Sequence, residues 1–299
     1  MTNLDYRALS MLNAVVGCGS FEKAALTLGI SQSAVSQRIK ALEDSAGRLL
    51  VVRGTPSVPT GLGQRLVVHY RHVKLMEASL DIDLGRAVSF PDVAVALDPD
   101  SLATWFPQAL AGLLSPPRCQ LDLQLAETEH ALTLVREGAV YAAVAAEPDG
   151  PLEPANGTTS TALGTLRYLC VATPSFAGHW FGDGLSIEAA RLAPAVVSER
   201  NYLARFLARE LDLTGPFPHH TLPVSPAMQG CITGGLAYGL MPEQQARALM
   251  ATDQLIDLQA GASFDVALAW HAWNIDTAFT RTLSEHIVET ARRNLRQPG

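Results

Sequence analysis

The twenty residues from Phe21 to Lys40 constrain this chain more than any other feature, because two helix patterns meet there at a glycine. Ser20 is placed to cap a short helix over Phe21 to Leu28 that Gly29 ends, and a second helix opens at Ser31 and runs to about Ala46, closed by Gly47. Ala24 and Ala25 are small enough for two helices to cross closely. Val35, Ile39 and Leu42 form the apolar stripe that anchors the second helix, which leaves Gln32, Ser33, Ser36, Gln37 and Lys40 on a polar edge.

The flanks complete a unit. Leu4, Ala8, Leu9, Met11, Leu12, Val15 and Val16 fall on helical spacing before the stop Gly17-Cys18-Gly19. After the pair, Leu49 to Arg53 reads as a strand and Gly54 to Thr60 as a turn with a short return. Three small helices and a two-stranded wing make an all-α winged helix-turn-helix, whose second motif helix enters the DNA major groove by its N-terminal turns. Short polar side chains permit close approach, and a Gln paired to both adenine edge groups is worth ~1–3 kcal/mol of discrimination. Arg38 and Arg53 are assigned to phosphates, so the DNA-binding candidates are Gln32, Ser33, Ser36, Gln37, Arg38, Lys40 and Arg53. The net charge of −7 argues against nucleic acid only as a total. Residues 1–74 hold nine basic and four acidic side chains, a local +5 that leaves −12 for the rest.

From Gly61 to about Val88 the pattern is helical, with Leu62, Leu66, Val73, Leu75, Met76, Leu80, Ile82 and Leu84 apolar on more than one side. So long a helix suits a partner helix, and a homodimer is the simplest source of one. From Pro91 short apolar strands alternate with helices: strand 93–97, helix near 101–114, strand 121–125, helix near 130–137, strand 141–145. That βαβαβ pattern predicts a parallel sheet. A similar pattern begins at Arg167, with further strands at 195–197 and 238–241 and a loop at 150–161. Residues 264–270 return the chain to the first lobe, where a last helix over 277–295 packs. The expected domains are 1–60, a linker helix 61–88 and an α/β effector domain 89–299. Its lobe I takes about 91–163 and 268–299, and lobe II about 164–267, with a cleft between them.

Cys18, Cys119, Cys170 and Cys231 are scattered among apolar neighbours and read as reduced thiols, and the histidines share no metal spacing. We expect no metal, no cofactor and no catalytic residue, since neither a Gly-x-Ser-x-Gly elbow nor a P-loop occurs. With no secretion pattern at Met1 to Arg7 and no apolar run approaching the ~20 residues of a span, a cytoplasmic place without membrane contact is expected.

The segment Ser31-Gln32-Ser33-Ala34-Val35-Ser36-Gln37-Arg38-Ile39-Lys40-Ala41-Leu42-Glu43 resembles the signature of the LysR-type transcriptional regulators. Within that family the chain looks closest to the ArgP/IciA/LysG subgroup, on Asp5-Tyr6-Arg7, Ser33 to Lys40 and, above all, Asp100-Ser101-Leu102-Ala103-Thr104-Trp105. It departs at Val51, where the family has a bulkier residue, and at Gly54 after Arg53, which leaves the wing contacts less defined than the reader helix. The resemblance implies a two-lobed, periplasmic-binding-protein-like effector domain and homodimers that pair into a dimer of dimers. It further implies double-stranded promoter DNA and RNA polymerase as partners, and lysine or arginine as effector controlling an exporter gene.

Ligands of open parallel sheets bind beyond the carboxyl ends of strands. The first such end offers Asp98 for an α-ammonium and Ser101, near a helix start, for a carboxylate, with Trp105 as a possible platform. Glu127 follows the second strand, and Ser198, Glu199 and Asn201 follow a strand of the other lobe, acidic company for a side-chain cation. The acidic residues have an ordinary alternative as solvated loop carboxylates, Asp98 and Asp100 a second one as helix caps, and Trp105 one as core. The competing function is a cytoplasmic solute-binding receptor or an enzyme built on the two-lobed domain.

Overall fold

The computed structural model of the chain describes residues 4–86, 90–114, 119–147, 157–224 and 226–297. The first unit is α1 (Tyr6–Cys18), α2 (Phe21–Leu28), α3 (Gln32–Ala46) and a hairpin of β1 (Val51–Val52) with β2 (Val58–Pro59). Its helices begin where side-chain oxygens satisfy free backbone N–H groups: Asp5 caps α1, Ser20 caps α2 and Ser31 caps α3. The turn between α2 and α3 needs Gly29, whose φ of 66° is left-handed. Leu9, Leu12, Val35, Ile39, Leu50 and Val67 close one core that already includes the next helix. The strand read at Leu49 to Arg53 is only two residues long.

The linker helix α4 (Gly61–Asp83) is capped by Thr60, and a turn follows at Leu84 and Gly85. It stops earlier than the expected Val88; residues 87–89 lie outside those described. Leu75 carries α4 into the core of the sensor unit.

Lobe I holds parallel strands β3 (Asp92–Leu97), β4 (Gln120–Leu125) and β5 (Ala142–Ala146), crossed over by α5 (Pro99–Ala103), α6 (Phe106–Leu114) and α7 (Thr128–Arg136). Two long antiparallel strands, β6 (Thr158–Ala172) and β11 (Phe264–Trp273), run through both lobes. The seven-stranded sheet is ordered β10-β6-β11-β5-β3-β4, with β9 (Gly239–Pro242) also on β6 and β10 (Ile256–Asp257) at the edge. At Gly164, φ 124°, the register slips between Leu268 and Ala269, and the crossing pair changes neighbours from β5 to β9. Lobe II adds α8 (Pro174–Trp180), α9 (Ile187–Ala190), the parallel pair β7 (Ala195–Val197) and β8 (His219–Thr221), α10 (Tyr202–Leu211), α11 (Pro226–Thr233) and α12 (Glu243–Met250). The last helix, α13 (Ala278–Asn294), returns to α6, where the His286 ring lies against Gly112 and its Nε2 is 2.9 Å from the Ala109 carbonyl.

Two further expectations are corrected. The single helix near 101–114 is two, broken at Thr104 and Trp105, because Trp105 is driven fully into the core beside Phe106. The loop at 150–161 gives way to β6 from Thr158, its threonines and serine paired with β11 despite their polarity; residues 150–156 lie outside those described. Lobe II also carries five helices, α8 to α12, for which no ranges were expected.

Candidate DNA interface and effector cleft

On α3 the buried stripe Val35, Ile39 and Leu42 turns the opposite side outward. Gln32, Ser33, Gln37, Arg38 and Lys40 are exposed and Ser36 half-buried, so the polar edge is open along its length. Ser31 Oγ accepts the Ala34 N–H at 3.2 Å and lies 3.0 Å from Ser33 Oγ, which ties Ser33 to the cap. The two arginines have protein partners. Arg53 does not reach out from the wing: its Nη2 donates to Ser36 Oγ at 3.1 Å and its guanidinium stacks 4.8 Å from the centre of the Phe21 ring. Arg38 pairs with Asp5 at 3.5 Å across to the start of α1, both side chains nearly half exposed. Glu43, the last residue of the signature segment, has a use that the sequence reading missed. Its Oε1 accepts the N–H groups of Leu50 and Val51 at 2.8 and 3.3 Å, so the wing hangs from the reader helix by a carboxylate.

Between the lobes lies a cleft of about 810 Å³, counting its open mouth. Asp98, Asp100, Glu127 and Thr128 line it from lobe I, and Ser198, Arg200 and Tyr202 from lobe II. Apolar side chains, among them Met228, Ile232 and Leu240, make up much of the remaining wall. Two polar contacts already span it: Tyr168 donates to Asp100 Oδ2 at 2.8 Å, and Arg200 Nε lies 3.5 Å from Glu127 Oε2. Arg200 also donates to the Tyr202 hydroxyl and sits 5.7 Å from the centre of that ring.

The carboxyls are far from water. Burial pushes Asp100 up to about 7, with Asp98 adding repulsion and the Tyr168 hydrogen bond opposing both. Burial raises Asp98 as well, against its bond from the Ser101 N–H at 2.8 Å, and Asp98 Oδ2 is buried with no hydrogen-bond partner among the described residues. Glu127 is raised by burial while the Arg200 guanidinium holds it down. Among the described lining residues three carboxyls share the cleft with one guanidinium, which makes a site short of positive charge.

Of the residues named from sequence, Asp98, Glu127 and Ser198 are brought together on this wall. Trp105 is not: it is completely buried in the lobe I core. Ser101 is buried behind Asp98, Glu199 is exposed, and the Asn201 side chain caps α10 by accepting the Ala204 N–H at 3.1 Å. Asp100 and Arg200 each adjoin a residue that was named, whereas Tyr168, in a strand of the other lobe, carries no local signal. Among the described residues no group of three or more His, Cys, Asp or Glu side chains is arranged to hold a metal ion, and no helix is long and apolar enough to cross a membrane.

Two family models match the chain: the bacterial regulatory helix-turn-helix protein of the lysR family over residues 6–64, and the LysR substrate binding domain over residues 91–292. The HTH-type transcriptional regulator ArgP of Pseudomonas aeruginosa is 40% identical over 97% of each chain, and that of Aeromonas salmonicida 37% over the whole of both. Among solved structures, ArgP from Mycobacterium tuberculosis superposes with a TM-score of 0.85 at 30% identity, covering 99% of this chain and all of that one. Full-length LysG from Corynebacterium glutamicum with arginine bound as effector gives a TM-score of 0.75 at 31% identity, covering 98% of this chain and all of that one.

Proposed function

The chain belongs to the LysR family of bacterial helix-turn-helix transcription regulators, and from that premise we propose that its promoter binding answers to a basic amino acid, arginine or lysine, held between the lobes of the sensor domain. The observation that carries this reading is the cleft, which Asp98, Asp100 and Glu127 line together with Arg200, the one positively charged side chain among its described lining residues. A ligand with two cationic groups and one carboxylate offsets that imbalance. Its carboxylate goes to Arg200 and Ser198, and its cations to Asp98, Asp100 and Glu127. LysG, similar over nearly the whole chain, takes arginine, which supports the same class of effector here.

At the other end Gln32, Ser33, Ser36 and Gln37 read base edges, while Lys40, Arg38 and Arg53 hold phosphates, the last two by exchanging their present partners. The chain acts in the cytoplasm as a homodimer on a two-fold site, assembles into a dimer of dimers, contacts RNA polymerase and controls an exporter gene. The effector favours one arrangement of lobes, and so shifts the population of DNA-binding geometries. The ArgP relatives that match over nearly the whole chain are transcriptional regulators by name, which favours this reading over a solute receptor or an enzyme.

Calorimetric titration of the full chain with arginine, lysine and the uncharged isostere citrulline tests the reading. Both cationic amino acids should bind, citrulline far more weakly, and Asp100→Asn should weaken the first two. Equal affinity for citrulline, or no heat with either cationic amino acid, sinks it.

A further inference from the structure

We propose that Arg71 is the positioning residue that carries the state of the cleft to the reader domain, using α7 as the strut between them. The inference rests on the reading of the cleft as the effector site. α7 starts in the cleft. Its N-cap is Glu127, paired across the lobes with Arg200, and its first residue, Thr128, lines the cleft while accepting the Ala146 N–H at 3.0 Å.

At about 1.5 Å per residue the helix reaches roughly 13 Å away. There its end meets the linker helix. Gln64 of α4 donates to the Glu137 carbonyl, and Arg71 Nη1 donates to the Gly138 carbonyl at 2.6 Å. The same guanidinium donates through Nε to Asn13 Oδ1 of α1 at 2.8 Å. One side chain thus joins the reader domain, the linker and the far end of the strut.

Both acceptors are uncharged, and burial lowers the pKa of this guanidinium from its ordinary value. The negative end of the α7 dipole compensates the cation instead, so its position depends on where that helix end lies. The joint is tight, since a Cβ at Gly138 would come within 2.4 Å of Val68. A second contact runs beside it: Trp273 Nε1 donates to the Val135 carbonyl at 2.8 Å, and its ring meets His72 of α4 edge-on at 4.5 Å. α7 beds on Ala96 and Ala143 through its own Ala131 and Val135, so it moves as a body rather than bending. An effector that takes Glu127 from Arg200 therefore displaces one end of a helix whose other end is in the grip of Arg71.

The test is run on the full chain, with a duplex that it selects from a random-sequence pool. Operator affinity is measured with and without saturating L-arginine for the wild type, Arg71→Met and Gln64→Ala, with arginine affinity measured by calorimetry. Arginine should change wild-type operator affinity by about 5–150-fold, and in Arg71→Met the change should fall below about twofold although arginine still binds. Gln64→Ala should reduce it partly, and serves in place of Arg71→Met if thermal unfolding finds the latter misfolded. A wild-type response in both variants overturns the proposal. A ligand-free cycle separates this failure from failure of the effector reading: Glu127→Gln should shift operator affinity in the Arg71 chain and leave it unchanged in Arg71→Met. Additive effects in that cycle overturn the strut even if arginine is not the effector, and coupled effects uphold it.

Discussion

A Cβ added at Gly63 would sit 2.0 Å from the Leu50 carbonyl oxygen, and that oxygen belongs to backbone just ahead of the wing. The same oxygen accepts the Thr60 N–H at 2.9 Å, so it cannot swing away without loosening the start of α4. Gly63→Ala should therefore cost the N-terminal unit about 1–3 kcal/mol, read as a lower denaturant midpoint. Asp100 decides a pH dependence. Its folded pKa, about 7, lies above the ordinary 3.8, so in that window the unfolded chain gives up the proton first. The ligand-free protein should lose stability as pH rises from about 4 to about 7, with no further loss from this group above that. A cationic ligand favours the carboxylate, so arginine affinity should climb with pH and flatten above about 7. Calorimetry across that range should give a flatter profile for Asp100→Asn.

At the scale of elements, α3 was readable because its determinants are local. A serine cap, a stripe at Val35, Ile39 and Leu42, and a closing glycine lie within one stretch of chain, and the exposed edge follows from them. Gln32→Ala, at an exposed position, should lower discrimination between related operators by about 1–3 kcal/mol while the thermal midpoint stays in place. A fall in stability with unchanged discrimination would remove Gln32 from the groove. The wing was legible only in outline. The orientation of Arg53 toward Ser36 and Phe21, and the hold of Glu43 on Leu50 and Val51, arise from residues up to 32 positions apart that only the folded unit brings together.

The whole molecule divides its charge between its two tasks. A basic N-terminal stretch precedes an acidic remainder, and that remainder supplies the carboxyls of the cleft. Operator affinity should fall linearly on logarithmic axes with salt, at a slope of about −0.9 per phosphate neutralised. Lys40→Ala should make that slope shallower by about one, uniformly across sequences. A slope unchanged by the substitution would place Lys40 away from the phosphates.

What the sequence determined alone was everything written in short-range order: the reader helix and its open edge, the linker helix, the alternating strands of lobe I and the sign of charge at each end. Tertiary structure decided the composition of the cleft, where Asp100, Glu127, Tyr168 and Arg200 converge from separate elements, and it sent Trp105 to the core. The reason is physical. Caps and periodicity act within a few residues, whereas which side chains share a cavity depends on strand order and on the register shift at Gly164, set by the packing of the whole sheet.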